Sequence, residues 1–209
     1  MSKAGRWRYE AHIGGRRAGA STERRPDGGG MSLLSREHAA LVVVDVQEAF
    51  RGYASFDGVA SSCAKLVQGA RILGLPALVS EQYPKGLGHT APELGVEEEP
   101  RIEKSVFSAA RAEGFERSEI GKHGRTQAVV CGIETHVCVS QTVHDLLERG
   151  IEVHVPADAV GSRHTLDYER GLERMERAGA VITTVEAALF ELLERAGTPE
   201  FKEVQKLIL

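Results

Sequence analysis

Apolar runs alternate with stretches of helical periodicity from residue 39 onward. Residues 40–46 form an almost unbroken run of β-branched residues, which is typical of a strand buried on both faces. The apolar positions that follow recur every three or four residues, as in an amphipathic helix, and Gly74 ends that helix. The members of this helical face are Cys63, Leu66, Val67, Ala70 and Leu73.

Five further apolar segments complete a predicted six-stranded sheet. They are residues 76–80, a weaker segment at Val106, and residues 127–133, 151–157 and 180–185. Thr183 and Glu186 have the spacing of a capping box for a helix that ends near Gly197. Strands that alternate with helices predict an open, doubly wound, Rossmann-like α/β domain, with a parallel sheet covered on both faces.

The first 30 residues differ in composition from the rest of the chain. They carry seven basic and three acidic residues, a net charge of +4, which leaves −8 for the remainder. They are rich in Gly and Arg, have no apolar periodicity, and precede a second methionine, Met31. We interpret residues 1–30 as a disordered leader or a translated upstream start, and residues 31–209 as one folded domain.

Charge and cysteine content restrict the partners and the compartment. A net charge of −4 gives no electrostatic reason to expect nucleic acid as a partner. No apolar run approaches the roughly 20 residues that a membrane span needs. The chain has three cysteines, which is an odd number and too few for a disulfide framework. We therefore expect a reducing, cytoplasmic environment.

The stretch CGIETHVC, residues 131–138, is the densest group of reactive side chains. Its spacing matches no zinc pattern and contains no CxxC redox pair. Cys131 lies among valines in a strand, so we interpret it as a small buried hydrophobic residue, like Cys63. Cys138 falls in the first turn of the next helix, where unpaired N–H groups lower a thiol's pKa and can bind an oxyanion. This placement favours Cys138 as a nucleophile.

A thiol nucleophile needs a proton acceptor and a group that stabilises its charge. Asp45 is the first candidate, because it interrupts the first strand at its carboxyl end, where a buried carboxylate is costly without a partner. Lys104 is the second candidate, since an ammonium group could pair with both Asp45 and the thiol. Spacing alone does not distinguish Lys104 from a surface lysine.

Four motifs in this order resemble the isochorismatase-like cysteine hydrolases, which include nicotinamidases and carbamoylsarcosine amidases. They are VDVQ at residues 44–47, EKSVFS at 103–108, GIETHVC at 132–138 and ADAVGSR at 157–163. The resemblance extends from about residue 35 to residue 185. The loop EQYPKGLG at residues 81–88 is most similar to the isochorismatase domain-containing branch of the family.

The resemblance implies a catalytic triad of Asp45, Lys104 and Cys138. Asp45 would accept the thiol proton, Lys104 would keep both partners charged, and Cys138 would attack a carbonyl carbon. It also implies a cis peptide bond between Ile133 and Glu134, and an oxyanion hole formed by the backbone N–H groups of Glu134 and Cys138. Family membership further implies a homo-oligomer.

The chain also departs from the nicotinamidases. Residues 47–50 lack the family's Asp-x-His metal motif, and His89 stands alone near the second strand. We therefore expect no catalytic metal and no cofactor, and the cysteine favours amide or acyl chemistry. Candidate walls of the substrate pocket are Gln47, Phe50, Tyr83, Phe107 and His136.

Two functions remain open from the sequence. The first is a metal-independent cysteine hydrolase that acts on a small amide or related acyl compound through a thioester. The second is a thiol-bearing binding or redox-responsive protein on the same scaffold with little turnover.

Overall fold

The computed structural model describes residues 32–122 and 124–209, so the predicted leader lies outside the described residues. The described chain is built on one parallel sheet. Its seven strands are β1 (Ala39–Val44), β2 (Ala77–Gln82), β3 (Arg101–Lys104), β4 (Gln127–Ile133), β5 (Glu152–Pro156), β6 (Val160–Gly161) and β7 (Val181–Thr183). The strand order is β3-β2-β1-β4-β5-β7, and β6 pairs with the end of β4.

The described residues form six α-helices, four between strands and two after the last strand. They are α1 (Phe56–Leu73), the single turn α2 (Pro84–Leu87), α3 (Ser140–Glu148), α4 (Thr165–Arg177), α5 (Val185–Leu193) and α6 (Pro199–Ile208). Gly74 ends α1 with a φ of 70°, as predicted, and its N–H bonds to carbonyls of the last turn. Within the described residues, no helix has the length and apolar character that crossing a membrane requires.

The predicted open, doubly wound sheet is confirmed, with helices on both faces. Helices α1, α5 and α6 pack on one face, and α3 and α4 pack on the other. Strand β1 contributes Leu41 and Val43 to the first core, and Ala40, Val42 and Val44 to the second. Because both of its faces are buried, β1 shows a continuous apolar run instead of an alternating pattern.

Three details of the prediction were wrong. The third strand is β3, and Val106 lies beyond it with 44% of its surface exposed. An edge strand with three charged residues has no apolar run to reveal it. The sheet has seven strands because β6, with two residues, is too short to show any periodicity. The N-cap of α5 is Thr184, whose hydroxyl accepts from the N–H of Ala187 at 3.2 Å, one residue later than expected.

His154 of β5 is a buried polar residue in this core. Its side chain is 2% exposed, and neither ring nitrogen has a hydrogen-bond partner among the described residues. Burial lowers the pKa of His154, although the nearby Glu191 and Glu152 act in the opposite direction. The folded state therefore resists protonation of this ring.

We predict that His154 makes the protein less stable in mild acid. An unfolded histidine titrates near pH 6.5, so below that pH the unfolded state binds the proton first and the free energy of unfolding falls. His154→Leu should remove this part of the pH dependence and raise the free energy of unfolding by about 1–3 kcal/mol, because no polar group is left unsatisfied. Urea denaturation at pH 7.5 and 5.5 measures both effects. The exposed His164→Gln is the control, and an unchanged pH dependence in His154→Leu would refute the prediction.

Candidate functional site

Three predicted catalytic side chains converge at the carboxyl edge of the sheet. Asp45 directly follows β1 and adopts a φ of 52°, and Lys104 is the last residue of β3. Cys138 lies in a turn of π-helix, Thr135–Val139, which precedes α3. Parallel sheets expose loops and helix starts at this edge, which is where open α/β folds bind ligands.

Lys104 makes three short contacts from its ammonium group. Its Nζ lies 2.6 Å from Oδ2 of Asp45, 2.7 Å from Oε1 of Gln82 and 2.8 Å from the backbone oxygen of Phe107. The side chains of Lys104 and Asp45 are 0% and 1% exposed. An ammonium group has three protons to donate, and these three acceptors can take all of them, with Asp45 as the charged one.

Ser80 and Gln82 of β2 also belong to this cluster. The Ser80 hydroxyl donates to Oδ1 of Asp45 at 2.7 Å, and Gln82 accepts from Lys104. Neither residue was among the predicted site residues. The signal that could have identified them is their spacing of two, because it puts two polar side chains on one face of a buried strand.

The pKa of Cys138 contradicts the expectation from its place at a helix start. The residue is 7% exposed, and the charges of Asp45 and Lys104 both act on its thiol. Burial and then the negative charge of Asp45 raise its pKa to about 12, against the opposing charge of Lys104. The thiol is therefore protonated at neutral pH, so it could act as a nucleophile only with a proton acceptor beside it.

The end of β4 approaches β1 closely beside this cluster. Gly132 has a φ of 125°, and a Cβ at this position would lie 1.9 Å from the backbone oxygen of Val44, so only glycine fits. The next peptide bond, between Ile133 and Glu134, is cis, as the family resemblance implies. The carboxylate of Glu134 accepts from the backbone N–H of Arg163 at 3.2 Å.

Gln47 is buried, and its side-chain amide bonds to the end of β2 and to the loop that follows it. Its Nε2 donates to the backbone oxygens of Gln82 and Gly88 at 3.0 and 2.6 Å, and its Oε1 accepts from the Gln82 N–H at 2.7 Å. Both donor hydrogens are used by the protein. Gln47 therefore holds the end of β2 and the loop that follows it in place.

The three aromatic pocket candidates have different surroundings. Phe50 is half-buried against the core and contacts Tyr53, with ring centroids 5.4 Å apart. Tyr83 and Phe107 are 60% and 51% exposed. Both belong to loops that bond to Lys104. The Tyr83 N–H donates to the Lys104 carbonyl at 2.9 Å, and the Phe107 carbonyl accepts from the Lys104 ammonium group. Tyr83 and Phe107 are thus available to contact a bound molecule.

His136 lies two residues before Cys138 in the same π-helical turn. Its Nδ1 is 3.0 Å from the Ser162 hydroxyl, and its Nε2 is 3.9 Å from a carboxylate oxygen of Asp167. Ser162 and Arg163 line a cavity of about 410 Å³ beside β6. Another cavity, of about 350 Å³, lies at the amino ends of β1, β2 and β3. Cys138 lines neither cavity.

Metal-ligand geometry is not found in the described parts of the chain. Within residues 32–122 and 124–209, no three His, Cys, Asp or Glu side chains are grouped as a metal site requires. Cys131, which shares the CGIETHVC stretch with Cys138, is fully buried in the other core cluster. A metal shared by these two cysteines is therefore not supported.

Comparison with known proteins identifies relatives along most of the chain. The isochorismatase domain model matches residues 39–187. Isochorismatase domain-containing protein 2 of Danio rerio is 42% identical over 180 residues, which cover 86% of this chain and 91% of that protein. A structure described as the MAR1 ribonuclease of Caenorhabditis elegans is 42% identical, with a TM-score of 0.79 over 85% of this chain and 92% of that one.

Two bacterial structures share the fold at lower identity. YcaC of Pseudomonas aeruginosa, solved with hexane-2,5-diol and covalent acrylamide, is 25% identical, with a TM-score of 0.79 over 87% of this chain and 94% of that one. The Escherichia coli YcaC gene product, described as an octameric hydrolase of unknown specificity, is 23% identical, with a TM-score of 0.77 over 86% and 92%. The match over residues 39–187 and the 42% identity to a relative of similar length make this chain a member of the isochorismatase family.

Proposed function

We propose that this protein is a cysteine hydrolase that cleaves a small amide or related acyl compound. The observation that carries the proposal is the buried contact of 2.6 Å between Lys104 and Asp45, beside the buried Cys138 thiol on which both charges act. A nucleophile, a proton acceptor and a fixed positive charge thus meet at one point, which is the combination that covalent acyl transfer requires.

The proposed reaction has two halves. Cys138 Sγ attacks the carbonyl carbon while its proton moves to Asp45, and Asp45 then donates that proton to the departing nitrogen as the C–N bond breaks. This step leaves an acyl thioester on Cys138 and releases ammonia or an amine. Water then attacks the thioester, and its proton passes through Asp45 to the departing thiolate, which releases the acid and restores the thiol.

The raised pKa of Cys138 explains why Asp45 is required in the first half. A thiol with a pKa of about 12 does not ionise by itself at neutral pH, so bond formation and proton transfer occur together. Lys104 donates to the Asp45 carboxylate and holds it in place as the acceptor. We assign the stabilisation of the carbonyl oxygen to the backbone N–H groups of Glu134 and Cys138.

A relative supports a nucleophile on this scaffold. The Pseudomonas aeruginosa YcaC structure contains covalent acrylamide, and acrylamide is an electrophile to which thiols add. This adduct indicates that a protein of the same fold carries a reactive nucleophile. The proposal for the present chain places that reactivity at Cys138.

A panel of small amides tests the proposal directly. Ammonia release is measured together with the intact protein mass, which rises by the acyl group when the thioester accumulates. Turnover with an adduct on Cys138 supports the hydrolase, whereas binding without turnover or adduct supports the alternative of a thiol-bearing binding protein. A structured RNA belongs in the same panel, because the Caenorhabditis elegans relative is described as a ribonuclease.

We predict that chelators will leave the activity unchanged. The proposed steps use only Asp45, Lys104 and Cys138, and the described residues contain no group of ligands for a metal. Turnover should therefore be the same before and after dialysis against EDTA, as measured by ammonia release. Loss of activity in EDTA that zinc or iron restores would contradict this prediction.

We also propose that the protein forms a homo-oligomer and that it is cytoplasmic. Tyr83, Val106 and Phe107 expose 60%, 44% and 51% of their surfaces, and a second copy of the chain in a homo-oligomer would cover apolar surface of this kind. Within the described residues all three cysteines are free thiols, which fits a reducing compartment such as the cytoplasm.

A further inference from the structure

We infer that Ser80 and Gln82 of β2 are positioning residues that set the geometry of Asp45 and Lys104 for proton transfer. This inference rests on the proposed function, because it concerns the same three reactive groups. It adds a third strand to the site, between the two strands that carry the charged partners.

The sheet order explains how one strand can reach both partners. Strand β2 lies between β1 and β3, with Ser80 paired to Val44 and Gln82 paired to Lys104. Residues two apart in a strand point to the same face. Ser80 therefore reaches the residue that follows β1, and Gln82 reaches the last residue of β3.

Each oxygen of the Asp45 carboxylate has its own donor. The Ser80 hydroxyl donates to Oδ1 at 2.7 Å, and the Lys104 ammonium donates to Oδ2 at 2.6 Å. The backbone N–H of Asp45 also donates to the Ser80 carbonyl at 3.1 Å. Two donors on opposite oxygens hold the carboxylate in one orientation, and its negative charge acts on the Cys138 thiol.

Gln82 constrains the other charged partner. Its Oε1 accepts from Lys104 at 2.7 Å while its Nε2 donates to the carbonyl of Ser105 at 3.0 Å. The amide is thus held at both ends, and it fixes the direction of one of the three ammonium protons. The hydrogen bonds run without a break from Ser80 through Asp45 and Lys104 to Gln82.

The same strand offers a matched control for a purely structural role. Glu81 lies between Ser80 and Gln82, is 1% exposed, and its carboxylate accepts from the Thr90 hydroxyl at 2.7 Å. This pair has the chemistry of Ser80 with Asp45, a buried hydroxyl that donates to a buried carboxylate. It makes no hydrogen bond with the triad residues, so removing it costs stability without disturbing the reactive groups.

The experiment compares Ser80→Ala, Ser80→Thr, Gln82→Met and Thr90→Val. We measure kcat and KM on an amide found in the panel, the melting temperature, and the rate of iodoacetamide labelling of Cys138 between pH 7 and 10. Ser80→Ala and Gln82→Met should each lower kcat about 10- to 100-fold with KM changed less than about twofold, since misplaced catalytic groups lose rate and not binding. Ser80→Thr keeps the hydroxyl and should retain kcat, and Thr90→Val should keep wild-type kcat while melting at lower temperature.

Labelling tests the inference without any substrate. Loss of the Ser80 hydroxyl concentrates the negative charge of Asp45 beside the thiol, so Ser80→Ala should label several-fold more slowly than wild type, and Thr90→Val should not. Wild-type kcat and labelling in Ser80→Ala, or equal losses in Thr90→Val, would overturn the inference. If Cys138→Ala were active, the proposed function would fail, and the labelling comparison would still decide the role of Ser80.

Discussion

Replacing Cys138 with alanine will abolish turnover while leaving the fold intact. The thiol is the group that forms the covalent bond in the proposed reaction, so we expect kcat to fall by about 10⁴-fold or more. The alanine loses one sulfur atom at the edge of a core cluster, and the Asp45–Lys104 pair remains complete, so the free energy of unfolding should change by about 1 kcal/mol or less. Ammonia release and thermal melting measure the two quantities.

Cys63→Ala is the matched control for this substitution. Cys63 is also a buried free thiol, but it lies on α1, and its Sγ contacts the carbonyl of Ala159 at 3.4 Å. This variant should keep wild-type kcat. Wild-type turnover in Cys138→Ala would show that no covalent intermediate forms on that residue.

Replacing Asp45 with asparagine should have the second largest effect and should act in opposite directions on two measurements. Removing the proton acceptor should lower kcat by about 10³-fold. The same change removes the negative charge that helps to raise the pKa of Cys138, so the thiol should ionise more readily and iodoacetamide should label it faster.

The pH dependence of iodoacetamide labelling follows from the pKa of the Cys138 thiol, which is about 12. The wild-type rate should rise about tenfold with each pH unit from 7 to 10 without a plateau, because the thiolate fraction is still growing. Asp45→Asn should shift this curve to lower pH, and Lys104→Met should shift it to higher pH by removing the positive charge. Intact-protein mass spectrometry of the three proteins measures the shifts.

Lys85→Met is the control for the lysine variant, because Lys85 is exposed. It should leave both kcat and the labelling curve unchanged. Identical labelling curves for wild type, Asp45→Asn and Lys104→Met would mean that neither charge acts on the thiol, which would exclude the proposed triad.

The local position of Cys138 does not determine the pKa of its thiol. A helix start alone lowers a thiol's pKa, whereas burial and the adjacent carboxylate raise it, and the second effect is larger here. Both opposing causes depend on residues far away in the chain. The position of Cys138 at a helix start could therefore be predicted locally, but the protonation state of its thiol could not.

The apolar pattern determined the class of fold, because a strand buried on both faces must be apolar throughout and a helix must repeat every three or four residues. The order of reactive residues along the strands likewise placed Asp45 and Cys138 at one edge of the sheet. Family resemblance assigned Lys104 to the triad, whereas only the tertiary structure showed its buried contact with Asp45 and brought Ser80 and Gln82 beside the pair. Their contacts join residues between 22 and 59 positions apart, and no local pattern records which distant strand will become a neighbour.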